Sequence, residues 1–219
     1  MNPSKTINAL AVATTLAAVC GLYWFLHPRP PAIDRQLHIA LGELLATEAL
    51  KLAPPGARII VIARDPLPFQ VPASAAQLDG FLRTLKRSGQ RVATFHRIQL
   101  DPLRQVAVPP GDFFELIRRA GDGDVIVSFL GPPVLDAGQL AKLGSQRPKI
   151  LAVCTGALPA RVDLRAIFGQ RLLSGVVISR ADAPAHAVSG NGARAFEQVF
   201  KWITPGDLTE LPPFAGARS

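Results

Sequence analysis

Five short apolar runs, each entered or left through glycine, proline or aspartate, constrain this chain more than any other feature. They are Arg58 to Ala63, Arg91 to Ile98, Asp124 to Leu130, Lys149 to Cys154 and Leu172 to Ser179. Segments such as IIVIA, VIVSFL and ILAV are continuous instead of alternating, and a continuous run marks a strand covered on both faces. The intervening stretches at 74 to 88, 111 to 120, 136 to 144, 159 to 168 and 192 to 203 have helical spacing. Strands alternating with helices need right-handed crossovers, so the pattern predicts a three-layer α/β/α sandwich around a mainly parallel sheet of about five strands.

Local punctuation agrees with this alternation. Asp112 and Asp136 stand where helices begin, as caps or first-turn acids, and Gly89, Gly121 and Gly144 stand where helices stop. Ahead of the first run, Ile33, Leu37, Leu41, Leu44, Leu45 and Leu52 recur at helical spacing. Residues 34 to 52 therefore read as an amphipathic helix that ends at Pro54-Pro55-Gly56. With hydrophobic residues at 48% and charged residues at 18%, the body of the chain is expected to be compact and not disordered.

The N-terminal segment obeys different rules. From Ile7 to Leu26 there are twenty residues without a charge, with Tyr23 and Trp24 near the end and Lys5 ahead of the segment. As a helix it spans about 30 Å, the hydrocarbon thickness of a bilayer. A cleaved signal has a shorter apolar core and a small-x-small site, whereas bulky YWFL stands here. The expectation is an uncleaved single-pass anchor in a bacterial-type cytoplasmic membrane, N-terminus inside and the domain in the periplasm. The organisation read from sequence is a short tail at 1–6, a transmembrane helix at 7–26, a proline-rich linker at 27–32, an α/β domain at 33–204 and a C-terminal tail at 205–219.

In an open parallel α/β sheet, ligands bind beyond the carboxyl ends of the strands. The loops to inspect are then Arg64-Asp65-Pro66, Gln99 to Asp101, Gly131-Pro132-Pro133, Cys154-Thr155-Gly156 and Ser179-Arg180. From them Asp65, Gly131, Thr155, Gly156 and Arg180 are taken as candidate ligand-binding residues. Ser189-Gly190-Asn191-Gly192 lacks a third glycine and follows the last run, so it reads as a turn and helix cap. No metalloprotease, paired-cysteine, Walker A or G-x-S-x-G motif occurs, so neither a metal nor a cofactor is expected.

The alternation, the size of the units and Gly121 to Pro133 (GDGDVIVSFLGPP) resemble one lobe of a type I periplasmic substrate-binding protein over residues 58 to 180. Such receptors close two lobes over a ligand. The resemblance implies a lobe-like domain that has lost its cleft or shares it through dimerisation. A second, narrower resemblance is carried by Ala152 to Leu158 (AVCTGAL), which is similar to the strand-to-helix turn bearing the nucleophilic cysteine of the DJ-1/PfpI superfamily. It implies Cys154 as a catalytic nucleophile whose thiolate is stabilised by a helix N-terminus. Gly131-Pro132 replaces that family's glycine pair, and Arg64-Asp65 stands where it has a glutamate. His96 and His186 are the imidazoles considered as a base, and spacing places neither beside Cys154.

Charge narrows the partners. The 24 Lys and Arg against 16 Asp and Glu give +8, which favours anionic neighbours. The basic residues are scattered, with one Tyr and two Trp to stack on bases, so nucleic acid is not an expected partner. The expected role is non-enzymatic: a membrane-tethered extracytoplasmic domain for small-ligand sensing or envelope scaffolding, partnered by the membrane through residues 7–26 and by a small molecule or an envelope protein. The alternative is a DJ-1/PfpI-like cysteine enzyme or a degenerate relative of one.

Overall fold

The computed structural model describes residues 3–26, 33–67, 71–99, 108–145, 147–184 and 192–214, with side chains described from residue 11 onward. The linker 27–32, His186 and residues 189–191 of the Ser-Gly-Asn-Gly turn lie outside that set, as do Leu100 and Asp101. The chain divides into two compact units, Met1–Ile33 and Asp34–Ser219.

The first unit is built on one helix, α1 (Pro3–Leu26), unbroken over 24 residues. Its large apolar side chains, among them Leu16, Trp24 and Phe25, are exposed. Among the described residues no helix is long and apolar enough to cross a membrane, so the expected transmembrane span at 7–26 is not met there.

The second unit holds a six-stranded sheet in the order β2-β1-β3-β4-β5-β6. The strands are β1 (Ile59–Arg64), β2 (Val92–Ile98), β3 (Val125–Ser128), β4 (Lys149–Cys154), β5 (Gly175–Ser179) and β6 (Phe200–Ile203). The first five are mutually parallel, as the continuous apolar runs predict, and β6 pairs antiparallel with β5. That sixth strand differs from the sequence reading, which continues a helix from 192 to 203. Helix α7 instead stops at Val199, and Phe200 to Ile203 are strand. Phe196, Phe200 and Ile203 do recur at helical spacing, but β5 would otherwise present an unpaired row of backbone amides and carbonyls, and FKWI supplies the partner.

Helices cover both faces. Ile59, Val61 and Ala63 point to the face shared with α2 (Arg35–Leu52), α3 (Pro72–Arg87) and α7 (Gly192–Val199). Ile60 and Ile62 point to the face shared with α4 (Pro110–Arg119), α5 (Ala137–Lys142) and α6 (Leu164–Gly169). On the first face Phe81 is fully buried and meets Phe129 edge-on, ring centroids 5.5 Å apart. The second core extends to Leu211, in a segment that sequence reads as a tail; Leu211 is buried, and its carbonyl accepts a hydrogen bond from Arg165 Nη2.

Three local devices set the frame. Asp34 caps α2 by accepting from the Leu37 amide, and Asp136 with Gln139 forms a complete capping box at α5. Beyond α3, Gly89 takes φ +73, while the amides of Gly89 and Gln90 donate to the carbonyls of Lys86 and Leu85; a residue without Cβ is needed for that C-terminal motif. At the amino ends of β1 and β3, the buried carboxylate of Asp124 accepts from the backbone and guanidinium of Arg58 and from the Gly121 amide. This clamp closes the pole of the sheet opposite the strand carboxyl ends.

Candidate functional site at the strand carboxyl ends

The chain leaves β1 for β2 on one side and then crosses to β3 on the other, so the order reverses between β1 and β3. At such a switch point the connecting segments diverge and leave a crevice at the carboxyl edge. A cavity of about 370 Å³ occupies that place. Its floor is apolar: Phe129 and Leu130 after β3, Val153 of β4, and Leu158. Its polar members are Arg64 at the end of β1, Thr155 after β4, Arg161, His38 of α2, and Ser74 and Gln77 of α3. An adjoining hollow of about 430 Å³ shares Arg64, Ser74 and Phe129 and runs along α3 toward Phe95 and Arg97 of β2.

Backbone geometry holds these walls. The Phe129 amide donates to the Ile62 carbonyl at 2.9 Å, prolonging the β1–β3 ladder to the cavity floor. The Asp65 amide does the same toward Ile98. Gly131 has φ +109, and a Cβ there would come within 3.1 Å of a Leu158 methyl, so glycine lets the turn after β3 pass behind that side chain. Past β4, the Gly156 amide donates to Ser179 Oγ at 2.9 Å and ties the turn to the end of β5.

Electrostatically the lining is one-sided, since it holds two arginines and a histidine and no carboxylate. Neither the Arg64 nor the Arg161 guanidinium has an ion pair or hydrogen bond among the described residues, in contrast to Arg58, Arg118 and Arg180. His38 Nδ1 lies 3.2 Å from Gln77 Nε2, and its ring also packs near Phe200. Burial pushes the His38 imidazole below its ordinary value of 6.5, with Asp34 acting weakly the other way, so the ring is neutral at pH 7.

Of the residues singled out by sequence, Thr155 lines the cavity. Gly131 and Gly156 shape its turns. Asp65 accepts from the Leu67 amide in a local turn, and Arg180 is held in a fork by Asp182 at 3.0 and 2.9 Å. Cys154 is fully buried in the core facing α6, on the sheet face opposite α2 and α3. Desolvation pushes its thiol from 9.0 up to about 12, so at neutral pH it is protonated. Among the described residues no imidazole or carboxylate is hydrogen-bonded to it, and His96 instead lies 3.4 Å from Asp112. Among the described residues, neither a base nor a lowered thiol pKa is found at Cys154, and His186 lies outside them. No group of three or more His, Cys, Asp or Glu that could hold a metal ion occurs among the described residues.

Strand-end reasoning missed His38, Ser74 and Gln77 because it inspects loops, and these lie on helices. The signal was present, since His38 and Gln77 are polar side chains next to helical core positions, Leu37 with Leu41 and Ala76 with Phe81.

No protein-family model and no curated protein matches the chain. Among solved structures it is similar to the XylFII-LytSN complex, with 12% identity and TM-score 0.49, covering 78% of this chain and 60% of that one. It is also similar to a carbohydrate transporter solute binding protein from Agrobacterium radiobacter in complex with D-arabinose, with 13% identity, TM-score 0.48, and 82% and 64% of the two chains covered. A third is GanP, a glucose-galactose binding protein from Geobacillus stearothermophilus, with 13% identity, TM-score 0.43, and 81% and 62% covered. The chain thus spans less than two thirds of the length of each. At these identities the likeness concerns the fold alone.

Proposed function

We propose that the domain is a non-enzymatic receptor for a small molecule, which it takes up at the carboxyl ends of β1, β3 and β4. The carrying observation is the cavity at the β1/β3 switch point, whose apolar floor and few convergent polar groups are the usual make-up of a small-ligand site. Its volume of about 370 Å³ lies at the small end of the range for such sites. Buried, protonated Cys154 on the far face of β4 argues for binding over thiol chemistry.

The domain is tethered outside the cytoplasm by the uncharged segment 7–26. The exposed apolar side chains of α1 support this, because an apolar surface of that kind demands a cover. Carbonate extraction tests the tether: the full chain stays with the membrane pellet, and a chain starting at residue 34 is released.

Thermal unfolding across a panel of sugars, sugar acids, sugar phosphates, amino acids and dicarboxylates tests the binding role. A true ligand at 100 times its Kd adds about 2.7 kcal/mol. Replacing Ala157 with Trp fills the cavity from its rim and abolishes that gain. A panel without any stabilising member counts against the receptor reading.

A further inference from the structure

Among the described residues, several surface guanidiniums are engaged by carboxylates: Arg35 and Arg83 meet Asp79, Arg118 meets Glu115, and Arg180 meets Asp182. Arg64 and Arg161 are not, nor are Arg91, Arg97, Arg171 and Arg194, but of these Arg64 and Arg161 line the cavity. They come from distant parts of the chain, line the same cavity, and have no ion pair or hydrogen bond of the guanidinium among the described residues. No Asp or Glu is part of that lining, so no carboxylate of the lining neutralises the two positive charges.

From this pairing of unpartnered cations over an apolar floor, we infer that the ligand is an oxyanion: a small organic molecule bearing a carboxylate or phosphate group, held between Arg64 and Arg161. The inference rests on the receptor reading above and adds the charge class. A planar guanidinium matches carboxylate and phosphate oxygens two at a time, and this matters most where apolar walls thin the surrounding water. The remaining polar members suit the rest of such a molecule. Ser74 and Thr155 offer hydroxyls, and the Gln77 amide, already engaged with His38, fixes the orientation of a neutral imidazole. A neutral sugar would use the hydroxyls and leave two guanidiniums unanswered. An anion answers both.

The test follows the side-chain Nε–Hε NMR signals of Arg64 and Arg161 while the full domain is titrated with inorganic phosphate, succinate and, as a neutral probe, glycerol. Phosphate or succinate is expected to shift both signals saturably, and the binding is expected to weaken with added salt. Arg64→Gln and Arg161→Gln are each expected to weaken it by about 10- to 100-fold, the worth of a charge-assisted hydrogen bond. Arg118→Gln removes the same charge outside the cavity and should change it less than about 2-fold, as expected for a screened distant charge. Circular dichroism confirms that the variants are folded.

Equal weakening by all three variants means diffuse charge attraction and overturns the inference. Saturation of the cavity residues by glycerol with no response to either anion overturns it too, while the receptor reading survives. Silence of the cavity residues toward all three probes overturns the inference, and the broader panel of sugars and amino acids then decides the receptor reading separately.

Discussion

Gln77 Nε2 stands 3.2 Å from Nδ1 of His38, so one contact joins the crossing of α2 and α3 to the wall of the cavity. An amide nitrogen can only donate, which places the lone pair of the imidazole on Nδ1 and its proton on Nε2. The contact thus selects the neutral ring, in the same direction as burial.

His38 is accordingly expected to titrate below 6.5 in the folded protein. A depressed histidine pKa favours the neutral form in the fold. The associated stability is fully present above the unfolded value of about 6.5 and is lost as pH falls through it toward the folded pKa. Wild type should therefore lose stability relative to His38→Gln as pH drops from about 7 toward 5, within the histidine titration range. An NMR titration of the His38 ring with a midpoint above 6.5 contradicts this.

The crossing itself depends on two glycines. A Cβ on Gly42 would strike the Gln77 carbonyl and lie 2.8 Å from the Phe81 amide, and one on Gly80 would strike the Ile39 carbonyl. These are backbone atoms that cannot rotate away. Gly42→Ala and Gly80→Ala are each expected to cost about 2 kcal/mol or more through forced separation of the helices. Gly111→Ala, whose added carbon meets nothing within 4 Å, should be neutral or stabilising by up to about 1 kcal/mol. Urea midpoints for the three variants check the contrast.

At the other pole, the Asp124 carboxylate is expected to govern acid stability. Burial raises its pKa, but the hydrogen bonds from Arg58 and the Gly121 amide more than offset this, and the net shift is downward. For a depressed carboxylate the stability is present above the unfolded value near 3.8 and disappears as pH falls through the folded pKa. Asp124→Ala should cost about 2 to 4 kcal/mol at pH 7, leaving backbone amides unpaired, and the deficit should shrink below about pH 4. Unfolding curves at pH 7, 5 and 3 measure it.

Cys154 should behave as a core residue. In a chain starting at residue 34, where Cys154 is the one cysteine, Ellman's reagent is expected to react only on unfolding. Because its pKa is raised to about 12, the thiol's contribution to stability is complete below 9.0 and is lost as pH rises from there toward 12. Rapid labelling of Cys154 in the native state contradicts this burial.

The sheet was largely legible in the sequence because continuous apolar runs have few other uses, and Lys149 to Cys154 is strand from end to end. What escaped was set by tertiary contacts. FKWI shares helical spacing with the residues before it, and only the open edge of β5 turns it into strand. Trp202 also needs Gly175 beside it, since a Cβ there would occupy the indole. The site was half legible for the same reason. Thr155 sits where the strand-end rule looks, whereas His38 and Gln77 reach the cavity from helices whose crossing depends on Gly42 and Gly80. Asp65 and Arg180 satisfy the positional rule, yet their charged groups are engaged by the Leu67 amide and Asp182.

The receptor reading is tested most directly by amide NMR mapping of a stabilising ligand from the metabolite panel, run on wild type and on Ala157→Trp in parallel. Shifts should concentrate on Arg64, Phe129, Leu130, Thr155 and Gln77 in wild type and vanish in the variant. A ligand that perturbs another part of the domain, or binds the filled variant unchanged, contradicts it.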